Sequence, residues 1–272
     1  MKSDITNVGE IFILTTKNIQ YISSLLTEAG TAVMKIYEAV DLRYNTAYKE
    51  DNSPVTDADL MSNKIISAGL LDIFPDIPII SEESNIDSYH QRKKWKYVWL
   101  LDPLDGTKEF INRSDEFSIN LALIKNGAPV AGFIYLPVFK TLYYAIQGSG
   151  AFEVFENQTN NISVNSFSLD QQGLRIVASR SEMDSSTKSY IDILDSPEII
   201  SLGSALKFIS IAKGDADYYP RMIHIMEWDT AAGQIIIEEA GGALVEADSG
   251  LPLTYNKPTM INPYFIASGK II

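Results

Sequence analysis

The residues best suited to chemistry in this 272-residue chain form one short run, Asp102-Pro103-Leu104-Asp105-Gly106-Thr107. The apolar segment 97–101 before it predicts a strand, so the run lies at the carboxyl end of a strand, where α/β folds place ligands. Its two carboxylates can aim at one point, with the Leu104 carbonyl between them. The amides of Gly106 and Thr107 would open a helix, whose N-terminus can bind phosphate. The run indicates a site for a cation and a phosphate, although an Asp-rich turn explains it equally well.

Three further acidic patches lie beside turn residues. Asp57 and Asp59 open a predicted helix, the pair Glu82-Glu83 follows a short apolar run, and Asp229 opens another helix. Each patch has an ordinary explanation when it is taken alone. Acidic residues in a first helical turn interact favourably with the helix dipole, and paired glutamates are mostly solvated.

The composition limits what such carboxylates can bind. The chain has no cysteine and two histidines, which excludes thiolate nucleophiles, disulfides, Cys-ligated metals and a three-His metal site. A metal must therefore be held mainly by oxygen, which suits Mg²⁺, Ca²⁺ or Mn²⁺. The 22 basic and 35 acidic residues give a formal charge of 22 − 35 = −13, so charge-driven binding of nucleic acid is not expected.

Periodic patterns predict the elements that position these patches. Apolar steps of three and four predict a helix over 17–40, and Thr56 is placed to cap a second helix that runs to about Leu71. The segments 117–125 and 130–136, joined by Asn126-Gly127, predict a hairpin, and 142–146 and 152–155 predict another strand pair.

Strands and helices alternate in the second half of the chain. We predict strands over 174–178 and 199–202 and helices over 186–194, 204–213 and 228–240, which favours a layered α/β half. The polar segment 157–172 suggests a boundary between an N-terminal α+β metal-binding subdomain, 1–157, and a C-terminal α/β subdomain, 158–272, that completes the site. No stretch resembles a signal peptide or a transmembrane segment, so we expect a cytoplasmic protein.

The acidic patches together resemble a known family. SPVTDAD at 53–59, SEES at 81–84, DPLDGTKEF at 102–110, and EWDTAAG at 227–233 with EAGG at 239–242 occur in the same order in the lithium-sensitive, magnesium-dependent phosphatases that include the inositol monophosphatases. Within this superfamily the sequence is most similar to the bacterial 3′(2′),5′-bisphosphate nucleotidases. The resemblance spans 53–242 and implies the layered αβαβα sugar-phosphatase fold, an α/β (α+β) class.

The resemblance also implies roles for individual residues. It assigns two or three Mg²⁺ ions to ligands at Glu82, Asp102, Asp105, Asp229 and the Leu104 carbonyl. It makes Asp59 and Thr107 catalytic, with Thr107 orienting the nucleophilic water and Asp59 assisting it and holding a further metal or its waters. Lithium is expected to inhibit. Since a bare carboxylate cluster would repel phosphate, the metal should be needed for both binding and chemistry.

Several residues bear on the choice of phosphate ester. The family's inositol monophosphatases usually have Thr-Asn after DGT, where this chain has Lys108-Glu109, and that departure favours the nucleotidases. Ser179-Arg180 and the segment 203–207 resemble nucleotide-binding segments. The implied substrate-binding residues are Gly106, Thr107, Ser179, Arg180, Ser204, Lys207 and Asp229, with Arg180 and Lys207 pairing with a second phosphate or lying as ordinary surface residues.

Base recognition is less defined. The family often has a Gly-Pro-Thr turn where this chain has Ile223-His224-Ile225, and His224 is either a nucleotide contact or structural. Tyr218 and Tyr219 are equally consistent with stacking on adenine and with a core strand.

The predicted reaction is hydrolysis of the 3′-phosphate of adenosine 3′,5′-bisphosphate. An inositol or other sugar monophosphatase is the alternative enzyme, and a non-catalytic metal- or nucleotide-binding regulator is the alternative from another class. The expected partner is a small-molecule phosphate ester. A monomer and a homodimer both remain open, as does peripheral contact with a membrane.

Overall fold

The computed structural model describes residues 14–39, 46–48, 54–179 and 184–272. In the first half the elements are α1 (Thr16–Tyr37), β1 (Thr46–Tyr48), β2 (Pro54–Thr56), α2 (Asp57–Ile73), β3 (Ile79–Ser81), α3 (Tyr89–Arg92), β4 (Tyr97–Asp105), α4 (Thr107–Ile111), β5 (Ser118–Lys125), β6 (Ala128–Leu136), β7 (Thr141–Ile146), β8 (Gly150–Phe155) and β9 (Gln158–Ile162).

The second half alternates strands and helices. Its elements are β10 (Ser166–Phe167), β11 (Arg175–Ser179), α5 (Ser185–Ile191), β12 (Glu198–Leu202), α6 (Leu206–Ala212), β13 (Tyr218–Arg221), α7 (Glu227–Glu239), β14 (Ala243–Glu246), β15 (Phe265–Ser268) and β16 (Lys270–Ile271).

The chain forms two main sheets. The first has seven strands in the order β3-β4-β5-β6-β7-β8-β9, in which β3 and β4 are parallel and every later neighbour is antiparallel. The second has five strands in the order β12-β11-β13-β15-β14, parallel from β12 to β13 and antiparallel beyond.

Burial on both faces of the seven-stranded sheet explains why β4 reads as a continuous apolar run. Its residues alternate between two cores: Trp99 and Leu101 pack with α1 and α2, whereas Val98 and Leu100 pack with α6 and α7. The second core also includes one face of the five-stranded sheet, and Ile191 of α5 packs on the other face. The layers are therefore α1/α2, sheet, α6/α7, sheet and α5, which confirms the αβαβα arrangement.

Most elements expected from the sequence are present within a few residues. The first helix ends at Tyr37 rather than 40, Val40 itself lying outside the described residues, and α5 ends at Ile191 rather than 194. The predicted hairpin pairs β5 with β6 around Asn126-Gly127. The division proposed at residue 157 falls in the turn between β8 and β9 of one sheet, so a division after Ile162 follows the sheets more closely.

Candidate active site

Two parallel strands bring the first two carboxylates together. Ser81 of β3 is opposite Leu101 of β4, and the Glu82 amide donates to the Leu101 carbonyl at 3.1 Å. Glu82 follows Ser81 and Asp102 follows Leu101. The two acidic residues therefore lie side by side at the same edge of the sheet. This is the edge at which the sequence places a ligand.

An interruption in β4 lies between Asp102 and Asp105, and both residues line the same cavity. Asp102 pairs with Asn120 and Asp105 with Ser118, and the register shifts between these two pairs. Pro103, which has no amide hydrogen to donate, lies in the shifted segment. The Leu104 amide donates to Asp102 Oδ1 at 3.1 Å, which fixes that carboxylate against the backbone.

Gly106 and Thr107 start the short helix α4. Gly106 has φ +87°, and an added Cβ would lie 3.0 Å from the Glu116 carbonyl oxygen, so glycine is required here for both reasons. The Thr107 hydroxyl lies 3.2 Å from Asp59 Oδ1 and 3.3 Å from the Leu104 carbonyl oxygen. Thr107 thereby links the turn to the start of α2.

Asp59 is held by the first turn of α2. The Thr56 amide and hydroxyl donate to its Oδ2 at 2.7 and 2.6 Å, and the Thr56 side chain accepts from the Ala58 amide, as in a capping box. Burial raises the pKa of Asp59, although the hydrogen bonds from Thr56 and Thr107 act in the opposite direction.

Helix α7, in the middle layer, supplies Asp229. The Met226 amide donates to Asp229 Oδ2 at 2.9 Å, which fixes the carboxylate at the N-terminal turn of the helix. Helix α7 packs against β6 at Gly132, where an added Cβ would clash with Ile235 Cγ2 and would lie 2.8 Å from the Ala232 carbonyl oxygen. The helix that carries Asp229 is therefore in close contact with the seven-stranded sheet.

Glu82, Asp102 and Asp229 form a cluster whose ligand oxygens lie within 4.8 Å of one another. Burial, followed by repulsion from Glu82, Asp105 and Asp229, raises the pKa of Asp102 well above its usual value. Burial together with Asp105 and Glu82 does the same for Asp229. Ionised carboxylates this close repel one another, and a cation among them would offset that repulsion, so the donor set fits a hard divalent ion.

The cluster opens into a cavity of about 320 Å³ that contains most of the predicted site residues. Of the predicted set, the cavity is lined by Glu82, Asp102, Leu104, Asp105, Gly106, Thr107, Ser179, Ser204, Lys207 and Asp229. Asp59 lies behind Thr107 and contacts it, and Arg180 lies outside the described residues. The Ser204 hydroxyl donates to Asp105 Oδ2 at 2.6 Å.

Basic side chains line the same cavity. Lys207 is buried and donates to the Ser204 carbonyl at 2.6 Å, and burial lowers its pKa although Asp105 raises it. Arg221, which the sequence analysis did not single out, is 8% exposed at the end of β13 and lines the cavity together with Lys108. A guanidinium and an ammonium beside the carboxylates provide positive charge for an anion.

The two tyrosines considered for base stacking face different layers. Tyr218 packs in the cluster on the α5 side of the five-stranded sheet, whereas Tyr219 packs in the middle core and also lines the cavity. His224 is exposed; its Nδ1 lies 2.8 Å from the Asn262 carbonyl oxygen and its ring packs 4.8 Å from that of Tyr264. Ile225, from the segment that departs from the family's Gly-Pro-Thr turn, also lines the cavity, as does Phe208, which no local pattern singled out.

Known sequences are similar to this one over most of its length. The sequence profile of the inositol monophosphatase family matches residues 17–269. A 3′(2′),5′-bisphosphate nucleotidase CysQ from Salmonella typhimurium is 40% identical over 249 residues, which are 91% of this chain and 98% of the relative. The protein of the same name from Haemophilus influenzae is 35% identical over 89% of each chain.

Solved structures show the same fold. CysQ from Bacteroides thetaiotaomicron, described as a bacterial member of the inositol monophosphatase family, superposes with a TM-score of 0.82 at 36% identity and covers 93% of this chain and 97% of its own. An IMPase from Thermotoga maritima gives a TM-score of 0.75 at 28% identity, with 93% and 92% covered. Among the described helices, none is both long and apolar enough to cross a bilayer.

Proposed function

The chain belongs to the inositol monophosphatase family, and from this membership we propose that it hydrolyses the 3′-phosphate of adenosine 3′,5′-bisphosphate to give AMP and phosphate. The carboxylate cluster, which shares one cavity with Lys207 and Arg221, is the observation that carries the proposal. The protein has a net charge of −13, so a substrate with two phosphates must find positive charge within the site itself. A metal ion at the carboxylate cluster would serve one phosphate, and Lys207 and Arg221 would serve the other.

Mg²⁺ is the proposed cofactor, in two or three ions per site. The ligands would be Glu82, Asp102, Asp105, Asp229 and the Leu104 carbonyl, an all-oxygen set that suits a small hard cation. Bound Mg²⁺ would supply positive charge that neutralises the transferring phosphate and lowers the pKa of a nearby water. Lithium inhibition, expected from the family, is part of the same proposal.

Thr107 and Asp59 would act on the attacking water. Thr107 Oγ1 lines the cavity and donates its one proton to Asp59 Oδ1 or to the Leu104 carbonyl, so it can orient a water by accepting a hydrogen bond from it. Asp59, whose pKa is raised by burial, can take up a proton more readily than an exposed carboxylate.

Lys207 and Arg221 would bind the 5′-phosphate. Both are largely buried and line the cavity, so their charges are screened by water less than those of surface residues. Ser179 lies at the end of β11 on the same cavity. Arg180, expected to contribute as well, remains a prediction.

A substrate panel tests the reaction. Purified protein is assayed for phosphate release from adenosine 3′,5′-bisphosphate, from AMP and from inositol 1-phosphate, each with Mg²⁺ and with EDTA. We expect rapid, Mg²⁺-dependent release from the bisphosphate and little from AMP. Faster turnover of inositol 1-phosphate would establish the alternative monophosphatase, and no turnover of any ester would support the non-catalytic regulator.

The buried cations favour the bisphosphate over the inositol ester, because an inositol monophosphate carries no second phosphate for Lys207 and Arg221 to bind. Monomer or homodimer, cytoplasmic location and peripheral membrane contact stay predictions from the sequence.

A further inference from the structure

Ser204 lies where the two main sheets come together at the cavity. It sits in the turn between β12 and α6, which belong to the second half of the chain, and it reaches Asp105 at the end of β4 in the first sheet. The approach is close, since a Cβ added to Gly106 would lie 3.1 Å from the Ser204 Cβ. The Gly203 amide, which donates to Glu116 at 2.8 Å, anchors the same turn to the first half.

The hydrogen bonds of Ser204 are directed at Asp105. Its Oγ lies 2.6 Å from Asp105 Oδ2, 3.1 Å from the Asp105 carbonyl oxygen and 2.7 Å from Ser118 Oγ. A hydroxyl has one proton, and the shortest contact to an acceptor-only group assigns it to Oδ2, so the Ser118 hydroxyl can donate to Ser204. Asn120 Nδ2 adds a weaker bond to the same oxygen at 3.3 Å.

These donors select one oxygen of the carboxylate. Within the described part of the chain, every side-chain group within hydrogen-bonding distance of the Asp105 carboxylate approaches Oδ2: Ser204 at 2.6 Å, Asn120 at 3.3 Å and Ser118 at 3.5 Å, the last competing for the proton that Ser118 can give to Ser204. With Oδ2 held from the protein side, Oδ1 is the oxygen left for a cation in the cavity. Such outer hydrogen bonds orient metal-binding carboxylates and raise metal affinity.

The backbone of Ser204 has an unusual conformation and is itself hydrogen-bonded. Its φ of +50° lies in the left-handed region, which is unfavourable for a serine, and its carbonyl accepts from Lys207 Nζ at 2.6 Å. Both the hydroxyl and the carbonyl are thus occupied by protein groups.

We propose that Ser204 is a positioning residue for the metal site rather than a substrate contact: it orients Asp105 toward Mg²⁺ from the opposite half of the chain. This inference rests on the proposed Mg²⁺-dependent function. It replaces the role in substrate binding that the sequence suggested for Ser204.

The test is the Mg²⁺ affinity of Ser204→Gly, measured calorimetrically in the absence of nucleotide. Glycine is favoured at a φ of +50°, so the variant removes the hydroxyl without adding backbone strain. We expect the Mg²⁺ dissociation constant to rise about 10-fold or more, and the KM for adenosine 3′,5′-bisphosphate at saturating Mg²⁺ to stay near the wild-type value. Ser196→Gly is the matched control, because Ser196 also has a φ of +50° but is remote from the cavity.

Two outcomes overturn the inference. Unchanged Mg²⁺ affinity with a raised KM would make Ser204 a substrate contact. Equal losses of Mg²⁺ affinity in Ser204→Gly and Ser196→Gly would show that the loss comes from the change to glycine in the backbone and not from the Ser204 hydroxyl. Ser118→Ala, which leaves the left-handed residue intact, is the second test if Ser204→Gly does not fold, and unchanged Mg²⁺ affinity there also contradicts the inference; we expect a smaller loss in the same direction. Wild-type protein that binds no Mg²⁺ would instead refute the proposed cofactor, which separates the two failures.

Discussion

At the scale of single residues, the Thr107 hydroxyl is the group whose removal should affect chemistry most selectively. It contacts Asp59 and the Leu104 carbonyl and faces the cavity. We expect Thr107→Val to lower kcat about 100-fold or more, with Mg²⁺ binding retained, because valine keeps the shape but cannot orient a water. Thr107→Ser should retain most of the rate.

Thr141→Val serves as the control for this prediction, since Thr141 starts β7, donates its hydroxyl to the Phe139 carbonyl and does not line the cavity. Turnover of Thr107→Val close to that of Thr141→Val would refute the catalytic role. Steady-state phosphate release and Mg²⁺ titration provide both measurements.

Asp102 should be required for activity and yet destabilise the metal-free protein. Burial and neighbouring carboxylates raise its pKa in the folded state, so the folded protein holds this proton more tightly than the unfolded chain does. The free energy of unfolding of the metal-free protein therefore falls as the pH rises from about 4, the ordinary pKa of Asp, through the raised pKa. We expect Asp102→Asn to abolish hydrolysis but to raise the Tm in EDTA at pH 8.

At pH 4 the advantage of Asp102→Asn should nearly disappear, because the carboxyl of the folded wild-type protein is then protonated and no charge is buried. Asp248→Asn, at an exposed position, is the control for a general change of one charge. Thermal unfolding by circular dichroism at the two pH values is the measurement, and a lower Tm for Asp102→Asn in EDTA at pH 8 would contradict the explanation.

Site residues that lie close together in the sequence could be predicted, whereas those brought together by strand pairing could not. Asp102, Asp105 and Thr107 lie within six residues beside turn formers, so sequence and structure agree on their grouping. Arg221 and Tyr219 reach the cavity only because β13 pairs with β11 and β15, and β15 lies more than 40 residues farther along the chain. A period-two segment of four residues does not indicate which of its faces meets a ligand.

At the scale of elements, the contact between α7 and β6 should control the distance of Asp229 from the sheet. Gly132→Ala places a methyl group where Ile235 and the Ala232 carbonyl already lie. We expect a loss of about 1–3 kcal/mol in stability from overpacking, accompanied by weaker Mg²⁺ binding as α7 shifts. Chemical denaturation and Mg²⁺ titration measure the two effects.

Ile235→Ala combined with Gly132→Ala tests the cause, because it removes the side-chain part of the clash and leaves the contact with the Ala232 carbonyl. Partial recovery of Mg²⁺ affinity in the double variant is expected. No loss of affinity in Gly132→Ala would show that α7 does not set the position of Asp229.

The five-stranded sheet contains an ion pair in which the aspartate is buried and the arginine is partly exposed. Asp217, before β13, accepts from Arg175 of β11 at 2.6 Å and is nearly inaccessible. Burial raises the pKa of Asp217, but hydrogen bonds from Arg175 and Asn165 outweigh it and lower that pKa overall. This stabilisation is present above the ordinary Asp pKa and is lost as the pH falls through the lowered value.

We therefore expect Asp217→Asn to cost about 1–3 kcal/mol at pH 7 and much less at pH 2, measured by urea unfolding at each pH. Asp215→Asn, at an exposed neighbouring acid, should change stability by less than about 0.5 kcal/mol at either pH. Equal effects of the two variants at pH 7 would refute the stabilising role of the ion pair.

Elements with their own periodicity were predictable, and those defined by distant partners were not. Helices α1 and α7 and the hairpin of β5 and β6 follow from local patterns and turn residues. Strands β14 and β15 have four residues each. β15 pairs with β13, from which it is far removed along the chain, and β14 then pairs with β15. Short strands of this kind are specified by tertiary packing more than by propensity.

At the scale of the whole molecule, the proposed metal site joins layers that are also held by apolar packing and by hydrogen bonds such as those of Gly203 and Ser204. Glu82, Asp102 and Asp105 project from the seven-stranded sheet, whereas Asp229 belongs to α7, which shares one core with the five-stranded sheet. A cation bound by both sets exists only in the folded arrangement, so its binding free energy adds to the stability of the entire fold.

Mg²⁺ should therefore stabilise the protein globally, by about 2.7 kcal/mol at 100 times the dissociation constant of one site, or about 5 to 10 °C in Tm. KCl of equal ionic strength screens the net charge of −13 without bridging the layers and should give a smaller shift. Asp229→Asn should lose most of the Mg²⁺-specific increment while it keeps the KCl effect, because it removes the one carboxylate that α7 supplies to the cluster of Glu82, Asp102 and Asp229. Equal Mg²⁺ shifts in wild type and Asp229→Asn would mean that the ion acts by screening alone, and the proposed link between the layers would be wrong.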